Sequence, residues 1–336
     1  MRYCSRLKLS TTFMALALTA GLHATAQAAD PQCELDRPVR FGGMNWESNL
    51  TLVGIERFIL EKGYGCKTVV ESGETLPMLT ALQRGDVDVN SEIWVNMMGD
   101  VWKKALADGK VKAVGQVFTG REGWYIPRYT AERYPELKQA SDLPRFKDKF
   151  VDPEDPAKGR LYGCPVGWVC GTSSENLMKA LKLEQDYVMY APGNSAAQKA
   201  AITSAYKRKK DIVFYYWTPT PLMGALDLVK LEMPPLDEKA YACLIDPKCT
   251  DPKPTDYKPN PIVTGLNTQF TTQAPALATF FTKVSIPDAA INDTLGWLER
   301  ENAELGDVPK YFLKTHGAVW KTWVPADVAQ RVEAAL

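Results

Sequence analysis

Between Val39 and Val89, short apolar runs alternate with longer stretches of helical periodicity. Val39–Met44 reads as an opening strand. A helix follows from about Leu50 to Lys62, with Leu52, Ile55, Ile59 and Leu60 at helical spacing and Gly63 as its stop. Cys66–Val70 is a second strand, the next helix runs through Leu76, Leu79 and Leu82 to Gly85, and Val87–Val89 is a third strand. Such a β-α-β-α-β run is the signal of a parallel, doubly wound sheet, whose ligands gather at the carboxyl ends of the strands. Trp46 follows the first strand and Ser91-Glu92-Ile93-Trp94 the third, so two tryptophans stand where a ligand belongs.

The chain opens with a targeting segment. Arg2, Arg6 and Lys8 precede an apolar run from Phe13 to Leu22 and a small-x-small site at Ala26-Gln27-Ala28, so residues 1–28 are expected to be removed and the mature chain to begin near Ala29. No later run reaches the ~18 apolar residues of a membrane span. Cys4 lies upstream of the apolar run, where it cannot carry a lipid, and the expected location is a Gram-negative periplasm. Lys+Arg and Asp+Glu both number 40, so the mature chain is slightly acidic once the leader is gone, which argues against nucleic acid or an anionic membrane as partner. The basic run Lys207-Arg208-Lys209-Lys210 reads as a solvated helix end. A chain of this length is expected to form two lobes and a monomer.

Of the 7 cysteines, six remain without Cys4, an even number that suits an oxidising compartment. They fall into sequence neighbours, Cys164 with Cys170 and Cys243 with Cys249, leaving Cys33 for Cys66. No C-x-x-C occurs and the mature chain keeps only His316, so neither a metal site, nor another cofactor, nor Ser-His-Asp or Cys-His catalysis is expected. Carboxylate chemistry on Glu92 and Glu47 stays open as the alternative of an exported hydrolase.

The stretch Leu161–Glu175 holds Trp168 between Cys164 and Cys170, a loop short enough to be pinched by a disulfide. Thr172 and Glu175 have the spacing of a capping box, and Asn176–Leu181 continues with helical periodicity, so a helix is expected to start here with amides free to attract an anion. An aromatic face beside an anion-binding edge suits a small zwitterion such as a betaine. A stapled surface loop whose indole fills an apolar dent is the other reading of the same residues.

Farther along, Val111–Phe118 reads as a strand and Gly120–Tyr129 as a chain crossing. Tyr187–Tyr190 is a strand, a helix spans about Ser195 to Lys209, and Asp211–Pro219 is a strand that runs into an aromatic corner. Asp246–Pro261 is a proline-rich excursion anchored by Cys243 and Cys249. Val263–Asn267 returns to regular structure, ahead of helices around Ala274–Lys283 and Ile291–Glu304.

Three segments resemble the periplasmic glycine betaine binding proteins of ABC transporters, the OpuAC-type substrate-binding proteins and most closely their ProX-like branch. They are Ile93-Trp94, Gly163–Cys170 and Val213–Pro219. The resemblance implies a two-lobed type II periplasmic binding protein fold, α/β in class, each lobe a sheet flanked by helices. Lobe 1 would span 29–123 and 223–336 and lobe 2 124–222, with the ligand between them and an inner-membrane permease as partner. It implies that Trp94, Trp168 and Trp217 cage a quaternary ammonium and that the amides of Val169 and Cys170 meet its carboxylate.

Physical chemistry asks for such a cage. A trimethylammonium cannot donate an N–H hydrogen bond, so the negative face of an aromatic ring is what holds it, at ~2 kcal/mol for each desolvated contact. Trp297, Trp320 and Trp323 are expected to be core packing. The chain departs from the ProX-like pattern after Trp94, where Val95-Asn96-Met97-Met98 replaces Thr-Pro and a nearby histidine. Choline, carnitine, proline betaine or another small amine or amino acid are therefore alternative ligands to glycine betaine. Glu47, beside Trp46, either faces the ligand and favours a net cation or sits in the first turn of the following helix, stabilised by its dipole.

Overall fold

The computed structural model describes residues 1, 3 and 32–336, so the expected leader and its cleavage site lie outside the described residues, save for Met1 and Tyr3. β1 (Val39–Met44), α1 (Glu47–Gly63), β2 (Thr68–Gly73), α2 (Thr75–Arg84) and β3 (Val89–Trp94) follow one another as the periodicity predicts. β1 pairs in parallel with β2 on one side and β3 on the other. Several boundaries move, β2 among them, which runs from Thr68 to Gly73 rather than from Cys66 to Val70. α1 begins at Glu47 rather than near Leu50, because Trp46 keeps an extended backbone while its carbonyl already accepts from Leu50 N–H at 3.1 Å. β3 reaches Trp94, so Ser91–Trp94 lie within the strand, buried at every position, and not after it.

The chain continues through α3 (Val95–Ala107), β4 (Val111–Pro127), α4 (Arg128–Arg133), β5 (Gly159–Tyr162), α5 (Cys170–Ala180) and β6 (Tyr187–Tyr190). α6 (Ser195–Lys207), β7 (Val213–Thr218), β8 (Leu228–Lys230), β9 (Asn260–Asn267) and further helices complete it. Among the described residues nine strands form one sheet in the order β2-β1-β3-β9-β4-β7-β5-β6, with β8 on β4 beside that path. β4 unites it. Val111–Gly120 pairs antiparallel with β9, Arg121–Tyr125 with β7 and Tyr125–Pro127 with β8. The stretch read as a chain crossing, Gly120–Tyr129, is thus mostly the second half of a continuous strand.

Sequence periodicity explains where the core sits. The apolar stripe of α1 buries Leu52, Ile55, Ile59 and Leu60 completely, and Phe41, Phe281, Phe312 and Trp320 are equally inaccessible. Each such side chain contributes about 1.5–3 kcal/mol by leaving water. Trp320 and Trp323 are core residues, as expected, and Trp297 lies flat on Tyr311 with centroids 4.1 Å apart. Lys207–Lys210 is an exposed end of α6.

The bonded cysteines are Cys33 with Cys66, Cys164 with Cys170 and Cys243 with Cys249, the pairing of sequence neighbours. The last closes the end of the helix Glu238–Leu244, which Asn176 of α5 holds by donating to Leu244 O at 3.0 Å and Asp246 O at 3.1 Å. Among the described residues no helix is long and apolar enough to cross a membrane, and no group of three or more His, Cys, Asp or Glu side chains could hold a metal ion.

Candidate functional site

β3, the turn after β1, the stapled loop and β7 converge on one pocket. Trp46, Trp94, Trp168, Tyr215 and Trp217 line it, together with Thr75, Met97, Val169 and Cys170. Each ring arrives by a local rule. In a strand, residues two apart share a face, so Tyr215 and Trp217 project together from β7, and Glu92 and Trp94 from β3. Trp46 takes the N-cap position of α1. Trp94 lies over Gly120 of β4, where an added Cβ would stand 2.4 Å from the indole, so only glycine admits the ring.

The loop that carries Trp168 is held from several sides. Gly163 N–H donates to Tyr190 O at 2.7 Å, Val166 N–H to Pro192 O at 2.9 Å, and Gln198 of α6 donates to both Gly163 O and Tyr215 O. Gly167 takes a left-handed φ of 84°, which a side chain would strain. The disulfide and these bonds fix the indole ahead of α5. The capping box expected from Thr172 and Glu175 does not form. α5 starts at Cys170, with Val169 as an N-cap that has no side-chain hydrogen bond, so Thr172 already lies inside the first turn. That start places Val169 and Cys170 at the pocket wall beside Trp168, at the end of the helix whose first amides have no partner within it.

The rings meet edge to face. Trp168 lies 4.8 Å from Trp46 and 5.0 Å from Trp217 by ring centroid, with interplanar angles of 63° and 71°. Tyr216 stacks behind Trp217 at 4.5 Å and stiffens it. Trp46, Trp94 and Trp217 are 5 %, 8 % and 2 % exposed, so packing fixes all three rings at the pocket wall.

Behind the rings stand carboxylates. Trp46 Nε1 and Trp94 Nε1 both donate to Oε1 of Glu92 at 2.9 Å, and Ser48 Oγ reaches the same oxygen at 3.2 Å. Trp168 Nε1 donates to Oε2 of Glu74 at 2.5 Å, and Tyr215 OH to Oε1 of Glu122 at 2.6 Å. Burial pushes the Glu92 carboxyl up to about 7, against the pull of the Trp94, Trp46 and Ser48 donors. Glu122 is likewise pushed up to about 7 by burial, against the Tyr215 hydrogen bond and the nearby Lys230 charge.

The structure therefore brings Trp46, Trp94, Trp168, Trp217, Val169 and Cys170 together and leaves Glu47 apart. Glu47 opens α1, and its carboxylate meets Lys199 Nζ of α6 at 3.1 Å, a lysine that Glu299 also holds at 2.7 Å. Glu92 and Glu47, the pair a carboxylate-dependent hydrolase would use, are engaged separately, one by indoles and the other by an ammonium. Tyr215 is a pocket residue that the resemblance does not single out, although its spacing from Trp217 in a strand is a signal. Glu74 and Glu122 carried no local signal, because each reaches the site only through tertiary contact.

Residues 37–315 match the family model described as the substrate binding domain of ABC-type glycine betaine transport systems. The chain is 27% identical over 257 residues to the glycine betaine-binding periplasmic protein OusX of Dickeya dadantii, covering 74% of this chain and 76% of that protein. It is 26% identical over 261 residues to the glycine betaine/proline betaine-binding periplasmic protein of Escherichia coli, covering 73% and 76%. Among solved structures, a ProX from Borrelia burgdorferi superposes with a TM-score of 0.70 at 19% identity, over 88% of this chain and all of that one. Lactococcal OpuAC in its closed, glycine betaine-bound form superposes with a TM-score of 0.68 at 18% identity, over 86% and 100%. These likenesses identify the fold as the two-lobed type II periplasmic binding fold expected from the sequence.

Proposed function

The chain belongs to the family of substrate-binding domains of ABC-type glycine betaine transport systems, and from that membership we propose that it captures a small quaternary ammonium compound in the aromatic box and delivers it to an inner-membrane permease. Glycine betaine is the reference ligand; choline, carnitine and proline betaine are its close alternatives. The observation that carries this reading is the convergence of Trp46, Trp94, Trp168, Tyr215 and Trp217 on one pocket. Aromatic faces hold a methylated ammonium that no hydrogen-bond acceptor can grip, and each desolvated contact contributes about 2 kcal/mol. Micromolar binding needs about 8 kcal/mol net, which several faces reach together once ordering costs are met. The amides of Val169, the N-cap, and Cys170, the first residue of α5, supply the edge for a ligand carboxylate where it has one.

In this reading lobe 1 comprises 29–123 and 223–336 and lobe 2 comprises 124–222, with one amendment. Leu228–Lys230 and Glu238–Leu244 go with lobe 2, since the first pairs with the end of β4 and the second is held on α5. The protein acts as an exported periplasmic monomer, its leader removed near Ala28, and it binds without turning its ligand over. Titration calorimetry with glycine betaine on wild type and Trp168→Ala tests the function. Wild type is expected to bind and the variant to lose binding while keeping its fold, since hydrogen bonds and the disulfide, not the ring, hold the loop. Undiminished affinity in the variant would remove the box from the binding site.

A further inference from the structure

Four of the five aromatic residues of the box hand their one polar hydrogen to a carboxylate. Trp46 and Trp94 donate to a single oxygen of Glu92, Trp168 donates to Glu74, and Tyr215 to Glu122. Glu74 is the N-cap residue of α2, yet its side chain makes no capping bond and is spent instead on Trp168 and Asn45. Glu92 is 1 % exposed, and among the described residues its Oε2 has no hydrogen-bond partner, so nothing cationic neutralises it. Glu122 is shared by Tyr215 and Asn260, and Lys230, the cation acting on it, is itself bound to Asp256 at 3.0 Å.

The positive side of the site is weak by comparison. None of the described residues lining the pocket is lysine, arginine or histidine, so a ligand carboxylate meets only the start of α5, worth roughly half an elementary charge. An accepted indole N–H also shifts electron density toward the ring, and charges act through the protein interior with far less screening than in water.

We propose that the carboxylates behind the aromatic box, Glu92 foremost, set the charge of its ligand, so that the site favours a quaternary ammonium that is a net cation over a zwitterion. Glu92 is a positioning and specificity residue here: it touches the ligand only through Trp46 and Trp94. The inference rests on the proposed function, and its test separates the two.

Calorimetry with choline and glycine betaine, at a pH a unit or more above the value of about 7 at which Glu92 titrates, is run on wild type, Glu92→Gln and Glu74→Gln. Wild type is expected to bind choline more tightly than glycine betaine. Glu92→Gln, which keeps an acceptor for the indoles and removes the charge, is expected to weaken choline roughly tenfold or more and glycine betaine much less. A residue that only held the fold would move both ligands alike, and equal changes in both overturn the inference. Should Glu92→Gln fail to fold, Glu74→Gln, at a half-buried position, decides by the same shift in the choline to betaine ratio or its absence. Wild type that binds neither ligand overturns the proposed function itself, and this inference with it.

Discussion

Trp46 and Trp168 meet edge to face with ring centroids 4.8 Å apart, although one follows β1 and the other sits in the disulfide loop ahead of α5. The contact makes Trp46 a wall of the box, and its N–H anchors that wall on Glu92. Trp46→Ala is expected to cost roughly tenfold or more in affinity, the worth of one desolvated cation–π face. Trp46→Phe, which keeps a face but loses the N–H, should fall between the alanine variant and wild type. Calorimetry with the ligand that wild type binds checks the order; a Trp46→Ala protein with wild-type affinity would make Trp46 a packing residue.

How far the site could be read in advance follows from the range of the interactions. β1, α1, β2, α2 and β3 are written in periods of two and 3.6 residues, so their existence and order are legible, as are Trp94 and Trp217 from the resemblance. Ends are less so: Glu47 and Cys170 begin helices earlier than their apolar periodicity suggests, because an extended Trp46 and a disulfide-held Val169 serve as N-caps without side-chain bonds. Glu74 and Glu122 stay silent in the sequence, since an acid facing an indole or a phenol has no periodic signature. β4 is not legible as one strand for a related reason: its first half pairs with β9 and its second with β7 and β8, a change of partner that no local pattern records.

Lys199 bridges Glu47 and Glu299 and so ties α6 to the start of α1. Burial pulls the Lys199 ammonium down, but Glu299 and Glu47 outweigh it and leave it raised. Lys199→Met should leave every ring in place while weakening the approach of these segments. A several-fold faster ligand release is expected, with a smaller salt dependence than wild type. Glu47→Gln should affect choline and glycine betaine equally, in contrast to Glu92→Gln, because Glu47 acts on the bridge and not on the ligand's charge. Stopped-flow release rates at two salt concentrations test the first expectation, and paired titrations test the second.

Glu56 places a carboxyl from α1 in the core beneath β3, wholly inaccessible. Ser91 Oγ donates to its Oε2, and among the described residues its Oε1 has no partner. Burial pushes this carboxyl from 4.5 up to about 8, with the Ser91 bond pulling the other way. The folded chain therefore keeps a proton that the unfolded chain has released across that window. Stability is fully present below the ordinary carboxyl value and is lost as pH rises through about 8, at up to about 1.4 kcal/mol per pH unit for the group. Glu92 and Glu122, pushed up to about 7, add to the slope over the lower part of the range. Glu56→Gln offers Ser91 an acceptor without a titrating proton, so its stability should fall less steeply, and at high pH it should outlast wild type. Urea midpoints measured from about pH 5 to about pH 9 give the slope directly. An identical slope in both proteins would mean that Glu56 is already ionised in the folded core.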